Sequence, residues 1–530
     1  MKRKLFILLS VAALSFNWGC SDYLDINHDP NALDKIPDAK VLLPAAEMGI
    51  ANNLMGWDFG FGGGFWVEYW TQAYTASQFK SLCEYLPQDF NTAYTSLMRE
   101  PLPDLKRIKE LTENDENKGL YFIAEALSVF TWQIITDVWG DMPYSEALRG
   151  DEGIFHPKQD KQQDIYTDLL KRVDALLKID LMNPSTDNYF SIDSRYDYIF
   201  KGNLEAWHFF ACALKLKLLL RLSETSGFDK NGLYKYVYEN ELYEGFSNEE
   251  ALFYFATTVY YVLGGAKIPG KVWNDNMAGK RHPMREFQTD GANYFSTNVI
   301  GCKSFVDYLK DNEDPRLTTL FNGRKGAFFG DFDSKADSEG SGTTDDKQEW
   351  CTVNYVCFND LFLMSPWEVF FNMAEVAARA GKFETAEEYY YEAVSESLLQ
   401  HGLDKDDIEE LFDEGFTEWK GGTVEACIKQ IAMQRWVANC NYQHIESFLE
   451  RNRTKYPPVS DIDIKADRLY AWTNFPVGYL TISVNGRKLL NENLPASPLY
   501  PANYVMRNNN APSQKPNIGQ RVWWNQKQGK

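Results

Sequence analysis

Residues 364–399, which read MSPWEVFFNMAEVAARAGKFETAEEYYYEAVSESLL, decide the fold. Small and aromatic side chains recur there at helical spacing on both sides of Gly381, which interrupts the pattern. The recurring positions are Phe370, Ala374, Ala377, Ala378, Ala386, Tyr390, Ala393 and Ser397. Alanines at such positions let two helices approach closely, and an aromatic ring fills the seam beside them. The stretch therefore predicts a helical hairpin with the spacing of a tetratricopeptide unit, with an ordinary helical hairpin as the alternative.

The remainder of the chain adds more helices and one long irregular region. Apolar residues at helical spacing predict helices near 40–53, 118–140, 165–177, 203–224 and 424–435. Between 253 and 357 this periodicity is lost, and Gly, Pro, Asn and Asp punctuate the chain. The predicted fold is mostly α, with tetratricopeptide-like helical hairpins (about 118–224 and 364–440) packed with a loop-rich, irregular ligand-binding half (about 253–357).

Composition excludes some classes of partner. The 530 residues include 75 acidic and 54 basic side chains, for a formal net charge of -21. A field of this sign argues against binding to nucleic acid or to an anionic membrane surface. The chain is 44% hydrophobic and 24% charged, which indicates a globular protein rather than a disordered one.

Aromatic residues supply the candidate ligand contacts. They make up 15% of the chain, more than a helical core of this size requires, so many should lie near the surface, where they can stack on a sugar ring or an apolar side chain. A glycine-rich stretch at 57–74 and the long irregular region carry the candidates, which are Trp66, Tyr69, Trp70, Tyr74, Trp273, Phe287 and Tyr294. The alternative for the first group is a glycine-softened bend that leads into a buried helix from Phe65. The two groups need not lie together.

The first residues are typical of an export signal. A basic start and an apolar run from Leu5 to Phe16 end at Gly19-Cys20. This predicts a lipoprotein signal peptide at 1–19, lipidation of Cys20 and one mature domain at 20–530. Seven cysteines follow Cys20, and a bridge between Cys351 and Cys357 is one possibility.

The sequence has none of the common catalytic and metal-binding motifs. The six histidines lack ligand spacing, and neither HExxH nor GxSxG occurs, so we expect no metal, no cofactor and no enzymatic activity. Arg451 and Arg453 are candidates to clamp an anionic ligand, but in so acidic a chain an internal ion pair is the favoured interpretation.

Several runs resemble the SusD/RagB family of nutrient-binding outer-membrane lipoproteins of Bacteroidetes-type bacteria, and in particular its divergent SusD-like branch. Besides the hairpin, they are GDMPYSEAL at 140–148, DPRL at 314–317, AMQRW at 432–436, and the tail motifs LYP at 499–501 and WW at 523–524. Leu499 and Asn525 replace the Arg and Asp that the family usually has beside the tail motifs. Acidic residues after Cys20 resemble a surface-export tag.

The resemblance implies a cell-surface lipoprotein of the outer membrane. Such a protein captures oligosaccharide or peptide and delivers it to a SusC-like TonB-dependent transporter, on which it sits as a lid. Two alternatives stay open. One is an exported α/α-barrel glycoside hydrolase, which would need two carboxylates held about 5 to 9 Å apart in a cleft. The other is a structural gating subunit that binds no ligand, which would be favoured if the candidate aromatics were buried.

Overall fold

The computed structural model describes residues 38–530 except 74–75, 116, 180, 182–191, 239–263, 275–276, 278–279, 287–297, 324, 332–349 and 355–359. Within this part of the chain the helices are α1 (Leu43–Leu54), α2 (Gly62–Trp66), α3 (Lys80–Cys83), α4 (Asn91–Arg99), α5 (Pro101–Thr112), α6 (Gly119–Trp139), α7 (Gln162–Leu176), α8 (Leu204–Arg221), α9 (Lys230–Tyr238), α10 (Pro283–Glu286), α11 (Lys303–Asp311), α12 (Arg316–Leu320), α13 (Pro366–Arg379), α14 (Phe383–Gln400), α15 (Lys405–Asp413), α16 (Val424–Ala438), α17 (His444–Thr454), α18 (Arg468–Asn474) and α19 (Ala502–Arg507). Short 3-10 turns lie at Ala39–Leu42, Gly150–Glu152 and Gly270–Val272, and a π-turn lies at Trp57–Phe61. The strands are β1 (Trp70–Gln72), β2 (Ala266–Ile268), β3 (Val299–Gly301), β4 (Phe321–Asn322), β5 (Thr352–Val353), β6 (Leu361–Met364), β7 (Val459–Ser460) and β8 (Leu480–Thr481).

The predicted hairpin is confirmed as α13 and α14. Ser365 begins α13, since its hydroxyl accepts a hydrogen bond of 3.1 Å from the amide of Glu368. The turn between the helices passes through Gly381, whose φ of 78° lies in the left-handed region that glycine adopts without strain. Alanines fill the crossing, and four of them are fully buried: Ala374, Ala377, Ala386 and Ala393.

The other predicted helices are also present, as α1, α6, α7, α8 and α16, and together with α13 and α14 they build the helical half. Helix α6 is long and apolar enough to cross a membrane, but 89% of its most apolar window is buried in the protein, as in a core helix. It packs against α5, α7 and α8, while α13 packs against α14, α16 and α9. Helices α4, α5 and α17 were not predicted, because their apolar faces are short or interrupted by charges.

A buried ion network joins four helices of the helical half. Glu450 on α17 accepts hydrogen bonds from Arg221 of α8 at 2.5 Å, from Arg453 at 2.6 Å and from Arg435 of α16. Arg453 also binds both carboxylate oxygens of Glu375 on α13 at 2.6 Å. The internal ion pair favoured for Arg453 is therefore confirmed. Its neighbour Arg451 is 3% exposed and donates to the backbone oxygen of Lys530 at 2.7 Å. Neither arginine is placed to clamp a ligand.

The irregular half is organised by a small antiparallel sheet. Its strand order is β1-β3-β5-β4, and Trp70 pairs with Gly301. Strands β2 and β6 form a second antiparallel pair, and β7 and β8 form a parallel one. Most apolar side chains belong to one large core, but two small apolar clusters lie apart from it in this half. One contains Ala73, Ile300, Ala327 and Trp350, and the other contains Phe328, Ile464, Ala471 and Val484.

Some predictions fall outside the described residues. These are the signal peptide, Cys20, Tyr74, Phe287, Tyr294 and Cys357, and with Cys357 the bridge to Cys351.

Candidate functional site

Trp472, on the short helix α18, lies between the two small apolar clusters. This helix begins after Asp467, whose carboxylate accepts a hydrogen bond of 2.9 Å from the backbone amide of Tyr470. A two-pronged ion pair between Arg468 and Asp331, with one N–O distance of 2.8 Å, ties the helix to the segment after Phe328. The helix is therefore held with Trp472 half-buried and its neighbour Tyr470 56% exposed.

Aromatic rings and lysines surround Trp472. The indole packs edge-to-face on Phe328, with 5.6 Å between ring centroids, and on Trp350, with 6.4 Å. The ammonium nitrogen of Lys303 lies 4.4 Å from the centroid of Trp472, and that of Lys325 lies 4.8 Å from the centroid of Trp350. These contacts hold the rings and the cations in fixed relative positions. We call this group the Trp472 rim; its members are Trp472, Trp350, Phe328, Lys303 and Lys325, and of these Trp350, Phe328 and Lys303 are buried.

A cavity of about 600 Å³ opens beside the rim. Trp472 and Val477 supply its apolar surface, and the polar lining is Lys303, Asp307, Lys310, Asp311, Lys325 and Gly326. Asp307 forms ion pairs with Lys303 and, at 3.4 Å, with Lys310, so charged donors and acceptors alternate along α11. An aromatic face beside ammonium and carboxylate groups is the chemistry that sugars require, because their C–H faces stack and their hydroxyls both donate and accept.

A second cavity, of about 520 Å³, adjoins the first, and Val477 lines both. It lies where the hairpin meets the irregular half, and its aromatic lining is Tyr308 of α11, Tyr390 of α14 and Tyr479. We call it the tyrosine cleft. The described surface therefore has two adjacent concave sites along one side of α11.

The glycine-rich stretch does not form the predicted surface platform. Trp66 is 2% exposed, and Tyr69 and Trp70 are fully buried. Trp66 stacks on Phe90 with centroids 5.0 Å apart, and the Tyr69 hydroxyl donates to the Trp436 backbone oxygen at 2.5 Å. These three aromatics cannot stack on a ligand in this structure, so that part of the site prediction is wrong.

The glycines have a packing role that explains the error. A Cβ added at Gly63 would lie 2.7 Å from the backbone of His444, so only glycine allows α2 and α17 to approach this closely. Glycine therefore permits close helix packing here rather than a loop. The alternative interpretation, a glycine-softened bend that leads into a buried helix from Phe65, agrees with the burial of this stretch but not with the bounds of the helix, because α2 spans Gly62–Trp66 and contains the glycines.

Trp273 lies apart from both cavities. It is half-buried at the end of the 3-10 turn Gly270–Val272, and it packs against the main core and edge-to-face on His282, with centroids 5.6 Å apart. The predicted group is thus not brought together among the described residues.

Sequence reasoning missed the residues of the Trp472 rim. Trp472 stands in RLYAWTN two residues after Tyr470, and this pair of aromatics beside Asp and Lys residues was an available signal, although only Trp472 lines the cavity. The partners of Trp472 come from segments more than 100 residues away, which no local pattern reveals.

Several solved structures have the same architecture as this chain. Among solved structures, a SusD homologue from Bacteroides fragilis superposes with a TM-score of 0.66 at 16% identity, covering 92% of this chain and 100% of that one. A chitin-binding SusD homologue from Flavobacterium johnsoniae gives 0.63 at 18% identity, with 91% and 98% covered. An outer-membrane protein from Bacteroides vulgatus, ascribed to nutrient binding, gives 0.63 at 17% identity, with 92% and 99% covered. The chain therefore has the helical fold of SusD homologues.

Residues 30–471 match the model of the SusD-like family described as starch-binding and associating with the outer membrane. The match spans most of the chain, and the protein belongs to this family. No match was found among curated protein sequences.

Proposed function

We propose that this protein binds an oligosaccharide at the Trp472 rim. The observation that carries the proposal is the half-buried indole of Trp472 on the wall of a cavity lined by Lys303, Asp307, Lys310 and Lys325. A sugar ring would stack on the indole, and its hydroxyls would hydrogen-bond to the ammonium and carboxylate groups. The starch-binding description of the family and the chitin-binding relative support carbohydrate as the ligand class.

The binding event serves uptake rather than catalysis. In the proposed arrangement the protein is anchored in the outer membrane through a lipid on Cys20 and faces the cell exterior. It sits as a lid on a SusC-like TonB-dependent transporter and passes the oligosaccharide into it. The family's association with the outer membrane and the resemblance of the leader to a lipoprotein signal support this arrangement.

A gating subunit without its own ligand is the second candidate. Burial of Trp66, Tyr69 and Trp70 favours it, because three of the seven predicted ligand contacts are core residues. The Trp472 rim supports the binding protein over the gating subunit, since a purely structural lid has no need of an aromatic surface beside an open cavity. A peptide could also stack on Trp472 and pair with the charged side chains of the cavity. The binding measurements described next distinguish a peptide ligand from an oligosaccharide.

The test is calorimetric binding of the protein from Ser21 onward to maltohexaose, chitohexaose and a mixed peptide pool. We expect one sugar to bind without product formation, and both Trp472→Ala and Lys310→Met to weaken it, the former roughly tenfold. Trp523→Ala is the matched control, because Trp523 is also half-buried but lies beside α7 and α8, away from the rim. Lys310 is exposed and lines the cavity, so Lys310→Met keeps the test informative if Trp472→Ala unfolds.

Preference for the peptide pool, with the same loss in the Trp472 and Lys310 variants, would replace oligosaccharide by peptide. Binding unchanged in both variants would remove the rim as the site. If neither this panel nor the charged hexamers described below bind while the protein still co-purifies with a barrel transporter, the gating subunit is the better description.

A further inference from the structure

The polar floor of the tyrosine cleft is held in place by a buried ion pair. Arg316 is fully buried and pairs with Asp314 through N–O distances of 2.7 and 2.9 Å. The same guanidinium donates to the side-chain oxygen of Gln434 at 2.8 Å. The DPRL motif at 314–317 thus orients Gln434, which lines the cleft. Side chains fixed in this way need little further ordering when a ligand binds.

The opposite wall is a strained loop fixed by hydrogen bonds. Thr417 has a φ of 52°, which is unfavourable for a β-branched residue. Its backbone oxygen accepts from the Tyr390 hydroxyl at 2.9 Å and from Gln430 at 3.3 Å, which hold the strained conformation. The Thr417 hydroxyl is buried with no hydrogen-bond partner among the described residues. Strain of this kind tends to collect at binding sites.

Basic side chains outnumber acidic ones around the two adjoining cavities, whereas acidic side chains are in excess in the whole chain. Acidic residues exceed basic ones by 75 to 54 overall. The combined lining has five lysines and three acids, which are Lys303, Lys310, Lys325, Lys420, Lys429, Asp307, Asp311 and Glu418. Lys420 and Lys429 are exposed at the tyrosine cleft, and neither has a carboxylate within ion-pair distance in the described part of the chain. A local excess of cations on an acidic protein attracts an anionic ligand to this face.

We propose that the tyrosine cleft binds an anionic sugar unit, one carrying a carboxylate or a sulfate ester, of an oligosaccharide whose neighbouring units lie against Trp472. The shared wall at Val477 makes the two cavities neighbouring subsites for one chain of sugars. Lys420 and Lys429 neutralise the anionic group, while Gln430, Gln434 and the tyrosines bind ring hydroxyls and faces. This inference rests on the proposed function and specifies its ligand.

The experiment compares hexamers that differ only in charge. Hexagalacturonate is measured beside its methyl ester, and a sulfated galactan hexamer beside its desulfated form, in low-salt buffer. We expect one anionic hexamer to bind about tenfold more tightly than its neutral partner, which also identifies the group as carboxylate or sulfate. The double variant Lys420→Met/Lys429→Met should remove the difference. Lys230→Met/Lys488→Met carries the same charge change at exposed positions outside both cavities and should retain it.

The outcomes separate this inference from the proposed function. Equal binding of charged and neutral hexamers, lost in Trp472→Ala, would overturn the anionic subsite and leave the carbohydrate site at the rim. A preference for the anionic hexamer that survives Lys420→Met/Lys429→Met would also overturn it. Failure of every hexamer here, together with maltohexaose and chitohexaose, would overturn both proposals.

Discussion

Glu450 is the carboxylate on which arginines from three helices converge. Burial alone would raise its pKa, but the guanidinium groups of Arg453, Arg435 and Arg221 outweigh that effect and lower it. The carboxylate is therefore charged at neutral pH and balances part of the positive charge of these buried arginines, which also pair with Asp137, Glu446 and Glu375. At the scale of single residues, the helical half depends on this balance.

Replacing Glu450 by Gln should destabilise the protein by about 3–5 kcal/mol, because Arg435 loses the carboxylate that it hydrogen-bonds, and Arg221 and Arg453 each lose one of their counter-charges. Urea unfolding followed by far-UV circular dichroism measures the change. Glu409→Gln, at an exposed position on α15, removes the same charge and should cost less than about 0.5 kcal/mol. Equal stability of the two variants would show that the ion network makes no net contribution to the free energy of unfolding.

Glu68 gives a pH-dependent prediction. Burial raises its pKa to about 7, although it accepts hydrogen bonds from Ser304 and the amide of Thr481. Its pKa in the unfolded chain is about 4.3, so between these values the folded state binds the extra proton and stability falls as pH rises. The unfolding free energy of the wild type minus that of Glu68→Gln should therefore decrease from pH 5 to pH 8.

This difference is needed because the buried His401 and His444 and the half-buried His208 have pKa values lowered to about 4, which makes stability rise with pH. Their contributions are common to both proteins and cancel. A difference that does not change with pH would mean that Glu68 has no raised pKa.

At the scale of elements, the hairpin of α13 and α14 depends on small side chains at the crossing. Ala393 of α14 is fully buried, and so are Ala374 and Ala377 of α13. A larger side chain there would force the two helices apart.

Ala393→Leu should therefore lower the unfolding free energy by about 1–3 kcal/mol. Ala175→Leu provides the control, since Ala175 is exposed on α7 and has room for the added atoms. Thermal unfolding of both variants measures the effect. The close-packing interpretation fails if the two variants melt together.

The contrast between elements also shows what the sequence could and could not predict. The helices of the helical half follow from apolar periodicity, because each repeats its pattern over several turns. The prediction for the stretch at 57–74 was wrong because glycine permits both loops and close helix packing. Only the contact with His444, which is distant in sequence, shows that these glycines serve close packing. The Trp472 rim depends on contacts between distant segments, so its residues carried no periodic signal.

At the scale of the whole molecule, family membership and fold agree with the resemblance found in the sequence. The match over 30–471 and the superposition on SusD homologues both extend across the helical and the irregular halves. The anchor is the part of the proposed arrangement that can be tested without a ligand.

Cys20→Ser should release the protein from the membrane fraction, because the thiol that would carry the lipid is lost. Fractionation of cells and immunoblotting measure the distribution. Cys83→Ser is the control, since Cys83 is buried in the core and has no part in anchoring. Retention of Cys20→Ser in the membrane would contradict lipidation at this residue.

The two small apolar clusters have a consequence for how this surface can change. Their residues pack on each other and on Trp472 rather than joining the large core. Segments with few contacts to the core open at a lower free energy than global unfolding. Substitutions around Phe328, Trp350 and Trp472 should therefore change the proposed binding surface with little loss of stability in the helical half. The residues that keep the molecule folded are thus distinct from those that shape this surface, so the surface can vary in sequence while the scaffold stays the same.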